Sequence, residues 1–356
     1  MDEATFKERL NKTSLKQENE VTINVTQNTN DSTPILIVPE CDFPEYQPQL
    51  NELVNKYPEI FSKSRSDVGK STGNKVTIRL TTDAAVNVRN YRTPMKLRPI
   101  LSNLITELVD AKVIEECESN EYNSPVLLVP KKSDGTIGAK THRMVIDYRA
   151  LNKIIETVVY PMPRIKDILS EYKGCKIFSY VDICHAFYTI QLDPASRKYT
   201  AFSCELGKFQ FRFLPQGLKI APAVFQGQIS QQLSGLKRTN PYMDDIISGE
   251  ATCEQEFESL EELFKRLSKY GYKLALPKCK FLVKKASFAG FDITKDGIAV
   301  PDDRINAARL LKEPKTMSEV KSVMGFFSFL RDYVPYYCDM LGPIQDLLSI
   351  NASSKN

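Results

Sequence analysis

A run of apolar residues that ends on a carboxylate constrains this chain more than any other feature of its sequence. The segment Ile177–Asp182 has the pattern of a strand buried on both faces, and Asp182 is its last residue. Further along, Asp244 and Asp245 lie at the tip of a short hairpin predicted between Pro241 and Gly249. Carboxylates at the ends of buried strands are costly unless a cation compensates them, so the sequence predicts a cation at these positions.

Two interpretations of the three aspartates are open from these residues alone. One is a pair of Mg²⁺ ions about 3.5–4 Å apart, which clamp the attacking and leaving oxygens of an in-line phosphoryl displacement in polymerases and nucleases. Mg²⁺ keeps waters and substrate phosphates as ligands, so two or three carboxylates suffice. The other interpretation is an ordinary polar turn, because Asp is common in turns.

Composition excludes several other classes of protein. The chain of 356 residues is 42% apolar and 26% charged, which excludes wholesale disorder. It has no run of about 18 apolar residues and no apolar core of a signal peptide near its start, so we expect neither a membrane span nor secretion. Eight Cys and two His without a CxxC pair exclude zinc fingers and predict reduced, intracellular thiols.

A basic window covers residues 263–291, although the net charge of the whole chain is only +4. It contains no acidic residue and includes six aromatic residues, among them Tyr270, Tyr272, Phe281 and Phe288. One interpretation is a solvated, lysine-rich helix face, and the other is a surface that follows a polyanion backbone. The basic residues of this window are Lys265, Arg266, Lys269, Lys273, Lys278, Lys280, Lys284 and Lys285.

The order of predicted elements is mixed. Residues 1 to about 33 have the composition of a disordered arm. Pro241 cannot donate to a central ladder, so its strand is predicted to lie at a sheet edge or to be distorted. Strands are predicted over 124–130, 143–148, 177–182 and 208–213, and helices over about 47–61, 99–111, 223–236, 254–270, 302–311, 318–332 and 343–348.

Further motifs lie in a fixed order around the aspartates. They read RMVIDYRALN over 143–152, YPMPRI over 160–165, FSYVD over 178–182, KYTAF over 198–202, FLPQGLKIAPAVFQ over 213–226, YMDD over 242–245, KCKF over 278–281, FAGF over 288–291 and GFFSFLRDY over 325–333. Across roughly residues 46–348 they resemble the reverse transcriptases of gypsy-type LTR retrotransposons and retroviruses. The resemblance implies an α+β, right-hand polymerase fold with fingers, a palm built on an antiparallel sheet with flanking helices, and a helical thumb.

The resemblance also implies a division of the chain. Its subdomains are an arm or linker over 1–45, an N-terminal extension and fingers over 46–157, the first part of the palm over 158–189, the second part of the fingers over 190–219, the second part of the palm with the primer grip over 220–295, and the thumb with the start of the connection over 296–356. The chain has no Asp-Thr-Gly or Asp-Ser-Gly triplet, only two His, and eight residues after Leu348. These features predict that protease, integrase and ribonuclease H domains are absent from this chain.

The site residues implied by the resemblance fall into three groups. Asp182, Asp244 and Asp245 are the catalytic and metal-binding residues, with two Mg²⁺ ions that Mn²⁺ is able to replace. Asp182 and Asp244 bind the ions, and Asp245 beside them has a lesser role because adjacent strand residues face opposite ways. Phe187 is a steric gate against a 2′-hydroxyl, with a core Phe as the alternative. The incoming nucleotide is contacted by Lys131 or Lys132, Arg143, His185, Ala186 and Gln216, and the template–primer by Arg149, Tyr242, Met243, Lys278, Lys280, Lys284, Lys285, Phe288, Gly290 and Phe291.

The function implied is template-directed, preferentially RNA-directed, DNA synthesis from dNTPs on an RNA template with a DNA or tRNA-like primer. One rival is an inactive or co-opted remnant that binds nucleic acid or protein without polymerising. Another is an RNA polymerase with the same palm, which Phe187 disfavours because a ribonucleotide needs room for its 2′-hydroxyl. A dimer is left open, no membrane partner is expected, and the expected location is the cytoplasm, within retroelement particles if the element is active.

Overall fold

The structure, a computed structural model, describes residues 36–64, 66–130, 142–331 and 333–353. The predicted arm over 1–33 and the two candidate phosphate ligands Lys131 and Lys132 lie outside the described residues. The chain divides into two compact units, Met1–Lys284 and Lys285–Asn356. Each unit is described by itself below.

The first unit mixes short strands with helices. Its strands are β1 (Ile114–Glu116), β2 (Val126–Pro130), β3 (His142–Ile146), β4 (Ile177–Asp182), β5 (Phe202–Cys204), β6 (Gly207–Phe211), β7 (Thr239–Tyr242), β8 (Asp245–Glu250) and β9 (Lys280–Val283). Its helices are α1 (Gln47–Lys56), α2 (Arg98–Asp110), α3 (Arg149–Ile154), α4 (Ile165–Ser170), α5 (Pro194–Arg197), α6 (Ala221–Gln232) and α7 (Cys253–Tyr270). Two 3₁₀ turns that bear on the site cover Ala186–Thr189 and Leu276–Lys278.

An antiparallel sheet of order β7-β8-β4-β9 positions the aspartates. Strand β4 lies between two neighbours and is buried along most of its length, as its apolar run predicts. Helix α7 packs on this sheet through a buried face that includes Leu260, Phe264 and Leu267. The helix begins where the Thr252 side chain accepts a hydrogen bond from the Gln255 amide, a standard N-cap.

The strand that contains Pro241 lies at the edge of this sheet, so the first of the two sequence alternatives is confirmed. Strand β7 pairs with β8 alone, and Pro241 lies opposite Ile246. The Pro241 carbonyl accepts a hydrogen bond of 2.8 Å from the Gln226 side chain on α6. The edge strand is therefore held to the neighbouring helix as well as to the sheet.

The other elements of the first unit follow the predicted pattern with shifted ends. Strands β2 and β3 form the predicted antiparallel hairpin, and β1, β6 and β5 form a second sheet. The helix predicted over 47–61 is too long, because α1 ends at Lys56 and Pro58 begins a separate 3₁₀ turn. Proline cannot donate the amide hydrogen bond that a continuing helix requires.

The second unit combines a three-stranded antiparallel sheet with helices. The strands are β10 (Lys285–Phe288), β11 (Phe291–Thr294) and β12 (Gly297–Ala299), and the helices are α8 (Asp302–Arg309), α9 (Met317–Leu330) and α10 (Tyr337–Ser353). Phe291 stacks on Phe329 with ring centroids 4.6 Å apart, which joins the sheet to α9. The last helix is longer than the predicted 343–348, since Pro343 lies inside it rather than at its start.

Candidate active site

The three aspartates come together at one end of the β4–β8 pair. Asp182 and Asp245 are the terminal residues of these strands and lie directly opposite each other in the antiparallel register. Asp244 occupies the turn before β8, and its carbonyl accepts a 2.8 Å hydrogen bond from the Ile183 amide. This meeting of the three aspartates has the cause that the sequence predicts. Asp182 ends an apolar strand, and Asp244 and Asp245 lie at the tip of a short hairpin.

A buried glutamine holds the hairpin turn in place. Met243 adopts a left-handed backbone with φ of 55°, a conformation that costs a non-glycine residue on the order of 1 kcal/mol. Its amide donates a 2.7 Å hydrogen bond to Oε1 of Gln226, a residue with no solvent exposure. Gln226 therefore braces both Met243 and Pro241. Sequence reasoning gave Gln226 no role, although a polar residue on a buried helix face is a signal for such a brace.

Asp182 is held by a lysine. Only 7% of the residue is exposed, and the Lys278 ammonium lies 3.0 Å from Oδ1 and 3.1 Å from Oδ2. The backbone around Asp182 is also fixed, because its carbonyl accepts a 3.0 Å hydrogen bond from the Ala275 amide. Lys278 thus supplies a cation to this strand-end carboxylate. The contact predicted for Lys278 from the sequence was one with the template–primer.

Asp245 differs from Asp182 in its partner. The Tyr180 hydroxyl, on the neighbouring strand β4, donates a hydrogen bond to Oδ1 of Asp245. Burial raises the pKa of the Asp245 carboxyl; the Tyr180 hydrogen bond opposes this change, and the charges of Asp244 and Asp182 add to it. Burial and the contact with Asp245 raise the pKa of Tyr180 as well. One carboxylate oxygen of Asp245 is therefore already used by Tyr180, which is compatible with the lesser role expected for this residue.

The donor set fits Mg²⁺. Carboxylate oxygens are the ligands this ion takes in proteins, and the ammonium of Lys278 already marks a cation position on Asp182. Within the described residues, no three His, Cys, Asp or Glu side chains form a ready cluster for a metal. An ion bound through one or two carboxylates and completed by waters and substrate phosphates does not require such a cluster.

The segment that follows β4 carries the predicted nucleotide contacts. His185 is exposed and adopts a left-handed backbone with φ of 50°, which starts the 3₁₀ turn Ala186–Thr189. Ala186 is buried. Phe187 is half-buried, and its ring meets Phe225 of α6 edge-on at 5.6 Å between centroids. A ring that is packed on one side and exposed on the other is compatible with the steric gate and excludes a fully buried core position.

Two further predicted contacts lie on separate elements. Gln216 is exposed in the turn before α6. The next residue, Gly217, has φ of 95°, and its carbonyl accepts a 2.8 Å hydrogen bond from Asn152, whose Oδ1 also accepts from the Lys219 amide. Asn152 thus shapes the turn that presents Gln216, a role that sequence reasoning missed. Arg143 lies on β3 opposite Val129 with an exposed side chain.

Arg149 forms a two-pronged ion pair with Asp147. Its Nε and Nη2 atoms lie 2.9 and 2.7 Å from the two carboxylate oxygens, and Tyr91 donates to the same carboxylate at 2.9 Å. The hydrogen bond from Arg149 is the largest cause of a pKa of Asp147 well below its usual range. The Arg149 side chain remains 82% exposed, so its outer face is available to a template.

The basic window is not a single helix face, because only its first part belongs to α7 and the rest forms a turn and strands. Lys278 pairs with Asp182, and Lys285 pairs with Asp292 at 2.7 Å within the second unit. Lys284 lies 5.1 Å from the centre of the Phe43 ring, and Lys280 is exposed on β9. Two of the four lysines that were predicted to contact the template–primer thus already have carboxylate partners.

The predicted primer-grip residues form the β10–β11 turn of the second unit. Phe288 and Phe291 face each other in the register, and both are buried. Gly290 has φ of 85°, and an added Cβ would lie 2.9 Å from the Arg304 side chain. The aromatic rings therefore build the core of this unit, and Ala289 and Gly290 in the turn are partly exposed.

The fold defines a right-hand nucleic-acid polymerase, which confirms the predicted class. The protease–reverse transcriptase of a foamy virus in complex with double-stranded DNA superposes with a TM-score of 0.80, 25% identity and coverage of 98% of this chain and 56% of that chain. The same viral protein in complex with an RNA/DNA hybrid gives a TM-score of 0.78 at 26% identity, over 98% of this chain and 43% of that chain.

Within that class the chain belongs to the reverse transcriptases of LTR-retrotransposon Pol polyproteins, as predicted. Residues 129–293 match the family described as reverse transcriptase (RNA-dependent DNA polymerase). The Pol polyprotein of transposon 412 from Drosophila melanogaster is 32% identical over 335 residues, which are 93% of this chain and 27% of the relative. That of transposon opus, also from Drosophila melanogaster, is 32% identical over 84% of this chain and 30% of the relative.

The Tf2-7 polyprotein of Schizosaccharomyces pombe is a more distant relative, 27% identical over 85% of this chain and 22% of its own length. The chain thus spans less than a third of the length of these polyproteins. In the part of the chain that the structure describes, no helix is long and apolar enough to cross a membrane.

Proposed function

We propose that this chain extends a DNA or tRNA-like primer with dNTPs on an RNA template. The observation that carries the proposal is the meeting of Asp182 and Asp245 across two central strands with Asp244 in the adjoining turn. The family and the viral neighbours, one of which is in complex with an RNA/DNA hybrid, support an RNA template. The alternative of a remnant that has lost polymerisation is not favoured, because all three aspartates are present in one place.

Asp182 and Asp244 are the residues that would hold two Mg²⁺ ions, or Mn²⁺ in their place. Such ions, when bound, stabilise the attacking and leaving oxygens of an in-line displacement. The protein itself supplies the fixed positions of the carboxylates: β4 holds Asp182, and the Gln226 hydrogen bond to Met243 holds the turn of Asp244. Asp245 and Tyr180 brace the strand pair beside them.

The nucleotide is proposed to lie against the segment after β4. His185 and Ala186 would offer backbone amides to the triphosphate, Gln216 would lie on the 3′ side of the sugar, and Arg143 would cover the phosphates with its planar fork. Tyr242 and Met243 of the hairpin, with Gly290 and its neighbours in the second unit, would meet the primer, and Arg149 the template. Lys131 or Lys132 remains the proposed ligand of the outer phosphates. The expected location, the cytoplasm and the particles of the element, follows from this function.

Primer extension by the purified chain tests the proposal. With Mg²⁺ and dTTP, a poly(rA)/oligo(dT) duplex should be extended, and extension should stop when the metal is chelated. A protein that binds this duplex but adds no nucleotide with either Mg²⁺ or Mn²⁺ would instead be the non-polymerising remnant. Extension with UTP in preference to dTTP would identify the RNA polymerase rival.

Replacing Phe187 by Val is expected to admit ribonucleotides. The shorter side chain opens space beside the 2′ position, and discriminations of this kind amount to about 1–3 kcal/mol, or roughly 10- to 100-fold. The measurement is the ratio of kcat/KM for dTTP and UTP on the same duplex. Phe187→Tyr keeps the ring and should keep the wild-type ratio. A Val variant with an unchanged ratio and a lowered Tm would make Phe187 a packing residue only.

Of the four lysines predicted to contact the template–primer, Lys280 and Lys284 are the two whose ammonium groups have no carboxylate partner in the described structure. They test whether this stretch follows a duplex. Each phosphate contact contributes about 0.9 to the slope of log K against log salt. Replacing both by Gln should flatten the slope for an RNA–DNA hybrid by roughly one to two units. A matched variant replaces Lys173 and Lys176, two exposed lysines near the opposite end of β4, and should leave the slope unchanged. Equal slopes for all three proteins would make the window a solvated surface.

A further inference from the structure

The ion pair between Lys278 and Asp182 links two motifs that are far apart in the sequence. The ammonium nitrogen is nearly equidistant from the two carboxylate oxygens, at 3.0 and 3.1 Å. The side chain of Asp182 is 10% exposed and that of Lys278 is 67% exposed. The carboxylate is thus fixed in the protein, whereas the lysine reaches it from the solvent side and is able to leave.

The backbone fixes Lys278 beside Asp182 independently of the ion pair. The segment before it runs along the end of β4: the Ala275 amide donates to the Asp182 carbonyl at 3.0 Å, and the Cys184 amide donates to the Lys273 carbonyl at 2.7 Å. The 3₁₀ turn Leu276–Lys278 then closes on Ala275, whose carbonyl accepts from the Lys278 amide at 2.8 Å. A lysine on this turn is therefore always within reach of the Asp182 carboxylate.

The charges of the site explain what such a lysine does. Asp182, Asp244 and Asp245 supply three negative charges, and the neutral Tyr180 hydroxyl that donates to Asp245 removes none of them. With Lys278 on Asp182, two negative charges instead of three are left to attract divalent cations. A divalent ion and an ammonium repel each other at one carboxylate, so the two share it only when another anion is added. The triphosphate of a nucleotide is such an anion.

We propose that Lys278 is a resident counter-ion of the metal site, which holds Asp182 while the enzyme is empty and opposes metal binding until a nucleotide triphosphate arrives. The inference rests on the proposed function, in which Asp182 is a metal ligand. It makes Lys278 a positioning residue that couples metal loading to nucleotide binding. It also replaces the phosphate contact predicted for Lys278 from the sequence.

The test measures Mn²⁺ binding to the full chain without nucleotide, from the electron paramagnetic resonance signal of free Mn²⁺. Lys278→Met removes the competing charge and should bind Mn²⁺ about two- to fivefold more tightly than wild type, the range expected for a partly exposed pair. Lys278→Arg keeps the charge and should stay near wild type. Lys176→Met is the control, because it removes the same charge from an exposed position at the opposite end of β4. It should change the affinity less than twofold.

Two further measurements separate the possible failures. Addition of dTTP without primer should bring wild type and Lys278→Met to similar Mn²⁺ affinities, because the triphosphate compensates the lysine. Asp182→Asn should weaken the binding in every background. If Lys278→Met binds Mn²⁺ no more tightly than Lys176→Met while Asp182→Asn still weakens binding, the counter-ion proposal is wrong and the metal site stands. If Asp182→Asn has no effect on Mn²⁺ binding, the metal assignment of the proposed function and the counter-ion proposal are both wrong.

Discussion

Asp182→Asn is expected to lower primer extension by at least on the order of 10³-fold while the chain stays folded. The amide keeps the shape of the side chain but removes the charge that would hold a divalent cation at the end of β4, and the metal provides the main stabilisation of the reacting oxygens in this chemistry. The same result is expected for Asp244→Asn. Folding should be preserved, because the backbone hydrogen bond from Ala275 to Asp182 does not involve the carboxylate.

The measurement is single-turnover extension of a labelled primer on an RNA template, with Tm recorded for each variant. Asp110→Asn is the charge-matched control, since Asp110 is exposed at the end of α2, and it should extend the primer like wild type. Extension within tenfold of wild type by either active-site variant would remove that aspartate from the proposed metal site.

Glu256 should make the free energy of unfolding depend on pH around neutrality. This residue of α7 has no solvent exposure. Its Oε2 accepts a 3.2 Å hydrogen bond from Ser248 of β8, and its Oε1 has no hydrogen-bond partner. Burial raises the pKa of the Glu256 carboxyl from its ordinary value of 4.5 to about 8. The carboxyl is therefore protonated in the folded protein at pH values where it is ionised in the unfolded chain.

The sign of the effect follows from the proton count of each state. Below about pH 4.5 both states hold the proton, and Glu256 makes no contribution to the pH dependence. Between about 4.5 and 8 the folded state holds a proton that the unfolded chain has released, so the free energy of unfolding falls as the pH rises. Above about 8 the loss is complete and is on the order of 5 kcal/mol.

Urea unfolding at pH 5.5, 7 and 8.5 measures this loss. Glu256→Gln keeps the shape of the side chain without the titration and should be more stable than wild type at pH 8.5, by a margin that shrinks toward pH 5.5. Glu258→Gln is the control on the same helix, because Glu258 is exposed, and its unfolding should follow wild type at each pH. Parallel pH profiles for wild type and Glu256→Gln would show that burial does not hold the proton on this carboxyl.

The site could be predicted from the sequence wherever a local pattern ends on a reactive group. Strand β4 has the predicted bounds because its apolar run stops at Asp182. The hairpin is found where Pro241 and Gly249 bracket it. The ring of Phe187 is half-buried in the 3₁₀ turn that follows β4, and its role as a gate stays a prediction. Each of these features depends on residues that are neighbours in the sequence.

The contacts that tune the site could not be predicted, because their partners are distant in the chain. Lys278 meets Asp182 across 96 residues, and Tyr180 meets Asp245 across 65. Gln226 reaches Met243 across 17 residues and a change of element. A lysine-rich stretch has the same composition whether its cations lie on phosphates or on carboxylates. The composition of the stretch therefore contains no signal for the ion pair between Lys278 and Asp182.

The edge strand β7 has a consequence for self-association. An open strand edge invites a second chain to pair with it, and unpaired edges are common starting points for aggregation. At Pro241 the chain has no amide proton to offer, and the carbonyl of the same residue is already bound by Gln226. The side of the sheet that carries the aspartate hairpin is thus protected against strand addition. At high protein concentration, the hairpins of neighbouring chains should therefore not pair with each other through β7. The aspartates of each chain should stay accessible to substrate.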